Sequence, residues 1–442
     1  MMRRGLVVLS VMMLLGILIP AQAFPASQSP TRQPAASAAT QLPRATAGGL
    51  SAERLARIDR VLQQYVDEER VAGVVALVLR DGQPVYERAF GWSDKEAGRR
   101  MATNTIFRIA SQTKAITSVA VLSLVEEGTI DLNDPVSRYI PSFATTTVAV
   151  RHDTGVTFVA ATRPITIRDL LTHTAGISYG TESDVAQLYQ AKGLGPAAGF
   201  GWYTADKDEP ICQTMERLGS LPFVAQPGEE WVYGYSTDVL GCVIERASGV
   251  GLDEFVRTRI TEPLDMRDTH FFLPADQRHR LAAVYASTSE GRFARAPDGP
   301  RGQGRYVDGP RRSFAGGAGL LSTAQDYARF LEMIRNGGAL NGVRVLAPRT
   351  VRLMTTNQVG TLYSSSGLGF GLGFETTDRF GANGMDSEGA FGWGGAYGTR
   401  YRVDPEARLV MVLMIQLLPN ATDIRQKFHT LVYQALVETP NR

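Results

Sequence analysis

The sequence predicts a mixed α/β (α+β) fold: one antiparallel sheet built from both chain termini and flanked by their helices, with a largely helical second lobe from the middle of the chain. Three observations predict it. Residues 51–69 repeat apolar side chains at helical spacing (Leu55, Ile58, Val61, Leu62, Tyr65), and residues 71–92 then read as two strands around a turn at Asp81-Gly82. Residues 398–418 read as another pair of strands around Asp404-Pro405, followed over 422–437 by an amphipathic helix with Ile424, Phe428, Leu431 and Val432 inward. Between these ends, residues 165–176 read as a short helix and its cap and residues 236–248 as a further helix. Residues 50–442 exceed what one compact core usually holds, so two lobes interleaved in one domain are expected, 50–110 with 315–442, and about 111–314.

Taken from the start, residues 1–23 read as a secretory signal peptide. Arg3 and Arg4 form its positive region, residues 5–19 its apolar region and Ala21-Gln22-Ala23 its cleavage site. The apolar run is short for a membrane span, and no cysteine follows the cleavage site to carry a lipid, so export is expected, most simply to a bacterial periplasm, without stable membrane insertion. Residues 24–49 are rich in Pro, Ala, Ser, Thr and Gln and predict a disordered linker. Further on, residues 180–210 and 273–314 read as long loops and hence as walls of a substrate cleft. The Gly-rich residues 367–373 lack the Lys-Ser or Lys-Thr of a phosphate loop, and their alternation with Leu and Phe suits a strand.

A formal net charge of +2 argues against nucleic-acid binding by bulk electrostatics. The five histidines (His152, His173, His270, His279, His429) have no ligand spacing, so neither a metal site nor a cofactor is expected. The two cysteines, Cys212 and Cys242, are open to a disulfide if the chain is exported, and equally to two buried thiols.

The chemistry concentrates at Ser111-Gln112-Thr113-Lys114. Residues i and i+3 share a helix face, so a helix opened by Ser111 sets the Lys114 amine beside its hydroxyl. A serine hydroxyl needs a neighbour that accepts its proton or stabilises its alkoxide, and lysine does either. Only five of the 46 cationic residues are lysines, so this position spends a rare one. Apolar Ile116, Val119, Ala120, Leu122 and Val125 give the helix a buried face and Gly128 supplies its stop. The Ser111 N–H and the helix dipole would then favour a developing oxyanion.

Two further stretches supply partners. Pro-Gly-Glu-Glu-Trp-Val-Tyr-Gly-Tyr at 227–235 places Tyr233 and Tyr235 before a helix, where a phenol beside an ammonium can serve as general base, or both rings can simply pack. Phe-Gly-Trp-Gly-Gly-Ala-Tyr-Gly at 391–398 would let a strand backbone approach a ligand closely and complete an oxyanion hole, or form a bulged core strand. A competing serine, Ser178 in Gly-Ile-Ser-Tyr-Gly at 176–180, matches the nucleophile-elbow pattern but follows a helix and leads into a loop, the wrong context for an elbow.

Together, Ser-Gln-Thr-Lys at 111–114, the tyrosine at 233 after Pro-Gly-x-x-Trp-x, and Trp-Gly-Gly at 393–395 resemble, in order and spacing, the serine β-lactamase-related (penicillin-binding-like) superfamily. The chain is most similar to family VIII carboxylesterases, and next to class C β-lactamases and D-alanyl-D-alanine peptidases. The resemblance extends to Leu-Leu-Thr-His-Thr-Ala-Gly at 170–176 and Gly-Gly-Ala-Gly-Leu-Leu-Ser-Thr-Ala at 316–324, and covers nearly all of residues 51–437. It implies a β-lactamase/transpeptidase-like fold, Ser111 as acylated nucleophile, Lys114 as its cationic partner, Tyr233 as base and Ala396 as backbone oxyanion donor. Trp393, Gly394 and Gly395 stand where many relatives have Lys-Thr-Gly, and Tyr235 where an asparagine would bind a substrate carbonyl. Both departures favour an uncharged ester, because a charge-assisted contact and an amide are lost. The function expected is that of an exported, carboxylesterase-type serine hydrolase that acts on carboxylic esters through an acyl-Ser111 intermediate, with a small-molecule ester or amide as its partner. A β-lactamase or D-alanyl-D-alanine carboxypeptidase or transacylase is the second expectation, a non-catalytic penicillin-binding-like module the third.

Overall fold

The computed structural model describes residues 48–195, 207–299 and 302–437. The expected signal peptide and all of the expected linker but Gly48 and Gly49 lie outside these residues. Helix α1 (Ala52–Asp67) begins at Ser51, whose hydroxyl accepts from the Arg54 N–H, and leads to strands β1 (Gly73–Arg80), β2 (Gln83–Asp94) and β3 (Arg99–Arg100). Short β4 (Phe107–Arg108) and a single 3-10 turn (Ala110–Gln112) precede α2 (Thr113–Glu126).

The middle of the chain carries the hairpin β5 (Thr147–His152) and β6 (Gly155–Ala160), then α3 (Ile167–Leu171), α4 (Ala186–Ala191), α5 (Ile211–Gly219), α6 (Ser236–Ser248) and α7 (Leu252–Val256). A second small hairpin, β7 (Tyr285–Ser287) and β8 (Phe293–Arg295), follows. The stretches expected to be structureless thus contain α4 in one and this hairpin in the other; both elements are too short to show periodicity in sequence. Next come β9 (Leu321–Ser322), α8 (Ala324–Arg335), the ribbon β10 (Ala339–Leu340) and β11 (Val343–Arg344), and α9 (Pro348–Met354). The chain closes with β12 (Leu368–Phe370), β13 (Glu375–Thr377), β14 (Phe391–Gly394), β15 (Arg400–Asp404), β16 (Leu409–Met414) and α10 (Ile424–Ala435).

Both ends of the chain meet in one eight-stranded sheet, ordered β12-β13-β14-β15-β16-β1-β2-β3, in which β1 pairs antiparallel with β16 from Val75↔Met414 to Arg80↔Leu409. All eight residues of β1 are buried and its apolar run does not alternate with polar residues, because helices cover both faces. Val74, Ala76 and Val78 pack with Leu55, Ile58, Leu62, Phe428 and Val432 of α1 and α10, while Val75, Leu77 and Leu79 join the larger core around α2, α6 and α8. Residues 113–124 of α2 are buried on every side, rather than on the one face its pattern suggests, which makes it a central helix. Cys212 of α5 and Cys242 of α6 are joined as a disulfide.

At the far end of the sheet, Arg402 is fully buried and reaches Glu375 at 2.8 Å as well as Asp386. These charges tie β13 and β15 on either side of β14, the strand that carries Trp393.

Candidate active site

Ser111 lies at the bottom of a buried junction where α2 begins. Gln112 N–H bonds Ile109 C=O and Thr113 N–H bonds Ala110 C=O, so neither bond of the 3-10 turn uses the Ser111 N–H. Ala110 holds a left-handed φ of 45°, a conformation costing a residue with a Cβ about 1–2 kcal/mol. The strain falls immediately before the serine, where it turns the chain sharply from β4 into the helix.

Lys114 follows one turn later and is 3% exposed. Its ammonium uses three donors: to Gly317 C=O at 2.7 Å, to the Tyr179 hydroxyl at 2.9 Å and, longer, to Ser111 Oγ at 3.4 Å. Gly317 is held in turn by its N–H, which donates to Asp238 Oδ1 at 3.0 Å, and a Cβ on Gly317 would stand 2.4 Å from the other carboxylate oxygen. Only glycine lets this strap lie against α6. The same strap accepts from Thr117 at Gly316 C=O, 2.8 Å, and donates from Leu320 to the Thr113 hydroxyl, 3.1 Å, so it clamps the first turns of α2. Burial pushes the Asp238 carboxyl up to about 6, against the opposing pull of the Lys114 charge and the Gly317 N–H.

Tyr233 closes the junction from the other side. Its ring lies 4.8 Å from the Lys114 ammonium and its hydroxyl accepts from Trp393 Nε1 at 3.1 Å. An indole N–H and an ammonium both facing this phenol are arranged to stabilise negative charge there. Tyr179 hydrogen-bonds the same phenol, and its own hydroxyl is raised well above the usual tyrosine range, first by burial and then by the neighbouring Tyr233 and Asp238. His173 packs 4.9 Å from the Tyr233 ring, and burial with the Lys114 charge holds its pKa well below the usual range, so it is a neutral ring. Trp231 stacks on Tyr233 at 5.7 Å, and Phe370, Tyr363 and Trp393 complete an aromatic wall.

After β14 the chain turns through residues 395–398, with Gly395 N–H on Thr399 C=O at 2.9 Å and Gly398 N–H on Gly395 C=O at 3.0 Å. A Cβ on Gly395 would stand 2.4 Å from Ile109 C=O, so this turn rests on the residues that lead into Ser111. The Ala396 N–H takes no part in the turn's bonds, and an oxyanion could meet it together with the Ser111 N–H. Arg425 of α10 brings a guanidinium to the same strand, its Nη1 3.6 Å from where a Cβ on Gly394 would be. Positive charge therefore stands near β14 although Trp393 carries none.

The structure thus gathers Ser111, Lys114, Tyr233 and Trp393, with Gly394, Gly395 and Ala396 abutting them. Tyr235 lies elsewhere: it is fully buried, and its hydroxyl accepts from Gly195 N–H at 2.9 Å, so it supports Tyr179 from behind and does not face the cleft. Ser178 is fully buried and its Oγ accepts from Gly180 N–H at 3.0 Å, a local turn with no elbow. Sequence pattern does not single out Tyr179 or Asp238. Tyr179 is the neighbour of the serine in Gly-x-Ser-x-Gly, and Asp238 is an acid in a first helical turn, where acids are ordinary. Trp393, which stands where many relatives have a lysine, is itself a hydrogen-bond donor. A separate cavity of about 780 Å³ lined by Arg99, Arg108, Arg278 and Tyr306 contains none of these groups. Arg108 there is bonded to the carbonyls of Gln303 and Ala282.

Chemically, the junction can do three things: deliver a hydroxyl with a proton acceptor beside it, stabilise an oxyanion with backbone donors, and enclose an acyl intermediate between aromatic rings. The Beta-lactamase family model matches residues 58–434. Esterase EstB of Burkholderia gladioli is 35% identical over 387 residues, spanning 84% of this chain and 92% of that protein. Protein Rv1367c of Mycobacterium tuberculosis is 34% identical over 380 residues, spanning 81% and 89%. The solved structure of EstCE1, a hydrolase with promiscuous acyltransferase activity, superposes with a TM-score of 0.73 at 28% identity, covering 87% of this chain and 99% of that one. The chain belongs to the Beta-lactamase family and is a serine hydrolase of that fold.

Proposed function

We propose that the protein is an exported carboxylesterase that works through an acyl-Ser111 intermediate. The observation that carries this is the junction at Lys114, which holds the Ser111 hydroxyl, the Tyr179 hydroxyl and the Gly317 carbonyl at once while facing the Tyr233 ring. Tyr233 in its deprotonated form takes the Ser111 proton and becomes a neutral phenol as Ser111 Oγ attacks the ester carbonyl; the oxyanion is met by the N–H groups of Ser111 and Ala396. The alkoxide leaves with the proton from Tyr233, and water then repeats the sequence on the acyl-enzyme.

The aromatic wall of Trp231, Tyr233, Tyr363, Phe370 and Trp393 favours an uncharged acyl or alcohol group over the carboxylate of a β-lactam. Export is supported by the pattern of residues 1–23, and the Cys212–Cys242 disulfide suits an oxidising compartment. Transfer of the acyl group to an alcohol instead of water is the second reading, favoured by the similarity to EstCE1.

The test is a comparison in one buffer: p-nitrophenyl esters with acyl chains up to about eight carbons, against nitrocefin, with intact-mass detection of a phosphonyl adduct on Ser111. Turnover of p-nitrophenyl butyrate with a higher kcat/KM than nitrocefin is expected. The reverse order would replace the esterase reading by a β-lactamase.

A further inference from the structure

Most of the aromatic wall stands on or beside regular elements: Trp231 and Tyr233 in the turn before α6, Phe370 at the end of β12 and Trp393 on β14. Tyr363 does not. It sits in the connection from α9 to β12, residues 355–367, which has no helix or strand of its own and ends in Ser-Ser-Ser-Gly. Connections of this length are usually functional. Leu362 beside the ring is 42% exposed and anchors nothing. Among the described residues, the Tyr363 hydroxyl makes the only hydrogen bond from residues 361–365 to a residue outside the loop, and its acceptor is Glu375 Oε2 at 2.6 Å. Burial and that carboxylate raise the Tyr363 phenol above the usual tyrosine range, so the proton stays with the ring.

Glu375 is 6% exposed and is itself fixed: its other oxygen accepts from Arg402 at 2.8 Å and from Arg400 at 3.1 Å. Arg402 reaches it past Gly392, where a Cβ would stand 2.6 Å from Arg402 Cδ. In the sheet Glu375 lies across from Phe370 on one side and from Gly392 on the other. A ring on an irregular loop is therefore moored to the rung that carries Phe370 and adjoins Trp393. With the loop moored, the Tyr363 ring lies 4.8 Å from Trp231, 5.6 Å from Phe370 and 6.4 Å from Trp393. Rings at such separations are in contact, so no acyl chain passes between them.

We propose, building on the carboxylesterase reading above, that the Tyr363–Glu375 bond is a latch that sets acyl-chain length. Closed, it confines the pocket to short acyl groups. A longer chain enters only by displacing Tyr363, which breaks the bond to Glu375. Tyr363 is the specificity-determining residue, in contact with the acyl chain, and Glu375 is a positioning residue that acts through it. Neither hydrogen-bonds Ser111, Lys114 or Tyr233, so opening the latch leaves the chemistry in place and changes only which acyl groups reach it.

The test is the ratio of kcat/KM for p-nitrophenyl octanoate to that for p-nitrophenyl acetate, in wild type, Tyr363→Phe, Glu375→Gln and the double variant. The same ratio is taken from the rates at which p-nitrophenyl octylphosphonate and ethylphosphonate label Ser111. Tyr363→Phe keeps the ring and deletes the latch, so the ratio should rise about tenfold with turnover of the acetate unchanged. Glu375→Gln gives its oxygen to the arginines and turns an amide to Tyr363, a neutral bond for a charge-assisted one, and should move the ratio the same way by less. Because both variants act on one bond, the double variant should go no further than Tyr363→Phe. A merely structural tyrosine would lower the thermal midpoint and leave the ratio alone. An unchanged ratio in Tyr363→Phe, or a double variant that exceeds it, would overturn the latch. Faster turnover of nitrocefin than of the esters would overturn the esterase reading instead, while the labelling ratio would still report on Tyr363.

Discussion

The two halves of the candidate site are built on different principles. Around Lys114 the groups are buried and polar, and each is fixed by a hydrogen bond: Gly317 to Asp238, Lys114 to Gly317 and Tyr179, Thr117 to Gly316. Around Trp393 the groups are half-buried rings that touch through their faces and edges, with one hydrogen bond, Trp393 to Tyr233, crossing the wall toward the reacting phenol. The polar half allows one arrangement, since losing any partner strands a buried polar group. The aromatic half can change a ring at smaller cost. On the proposed mechanism chemistry belongs to the first half and selectivity to the second, and variants on the two sides should separate in size.

The largest effect is expected at Ser111. Ser111→Ala should lower kcat by about 10⁴-fold or more and abolish phosphonyl labelling with no loss of thermal midpoint, because the nucleophile goes with little change in volume. Lys114→Arg should lose about 10³-fold, since a guanidinium keeps the charge but its planar fork does not fit the three-bond site. Labelling that moved to Ser178 would break the comparison at its root. Next in size is Tyr233→Phe, with kcat down at least about 100-fold from loss of the general base. Tyr235→Phe should instead leave kcat near wild type and lower the thermal midpoint, because it strands the Gly195 N–H at about 1–2 kcal/mol. If the two tyrosines exchanged these behaviours, the base would have been assigned to the wrong side of the turn.

Much of the polar half was legible in the sequence because its parts are local. Ser111 and Lys114 are one helical turn apart, and Tyr233 announces itself by Pro227, Gly228 and Trp231. The paired helix and hairpin at each terminus likewise foretold the shared sheet, since β1 and β16 are apolar runs bounded by turns. What could not be read is what distant segments do to one another. Asp238 became part of the site only when the strap at Gly317 was laid across α6, and Tyr179 only when its turn came beneath Lys114. Tyr235, two residues beyond Tyr233, looked like a cleft residue, yet the turn points successive side chains in different directions and sends it into the core.

Asp238 offers a sharper cut. Its carboxyl is pushed up to about 6, so as pH falls through that value it takes up a proton and loses the negative charge that faces Lys114 through Gly317. Turnover should fall on the acid side near pH 6, and Asp238→Asn should remove that limb while lowering kcat at pH 7 by about tenfold. Stability runs the other way. A carboxyl whose folded pKa lies above its unfolded one costs stability as pH rises from about 4 to 6, of order 3 kcal/mol for a shift of this size. Asp238→Asn should therefore melt no lower than wild type at pH 7. A variant both less stable at pH 7 and unchanged in its acid limb would show that Asp238 only supports the fold.

The smallest of the losses in rate should come from the bond between Trp393 and the Tyr233 hydroxyl. Trp393→Phe keeps an aromatic ring against Tyr233, Phe370 and Trp231 but deletes the N–H that donates to the Tyr233 hydroxyl at 3.1 Å. If that bond favours the deprotonated phenol that receives the Ser111 proton, its loss leaves less of the base form and lowers kcat with little change in KM. A neutral hydrogen bond is worth about 1 kcal/mol, hence about fivefold in rate. A ring that only shapes the cleft would do the opposite, shifting KM and acyl-chain preference while leaving kcat on a small ester alone. Measured on p-nitrophenyl acetate and p-nitrophenyl octanoate together, a fivefold fall in kcat common to both esters assigns Trp393 to the chemistry. A change confined to KM for the octanoate assigns it to the wall, and the division between the two halves of the site would then be complete.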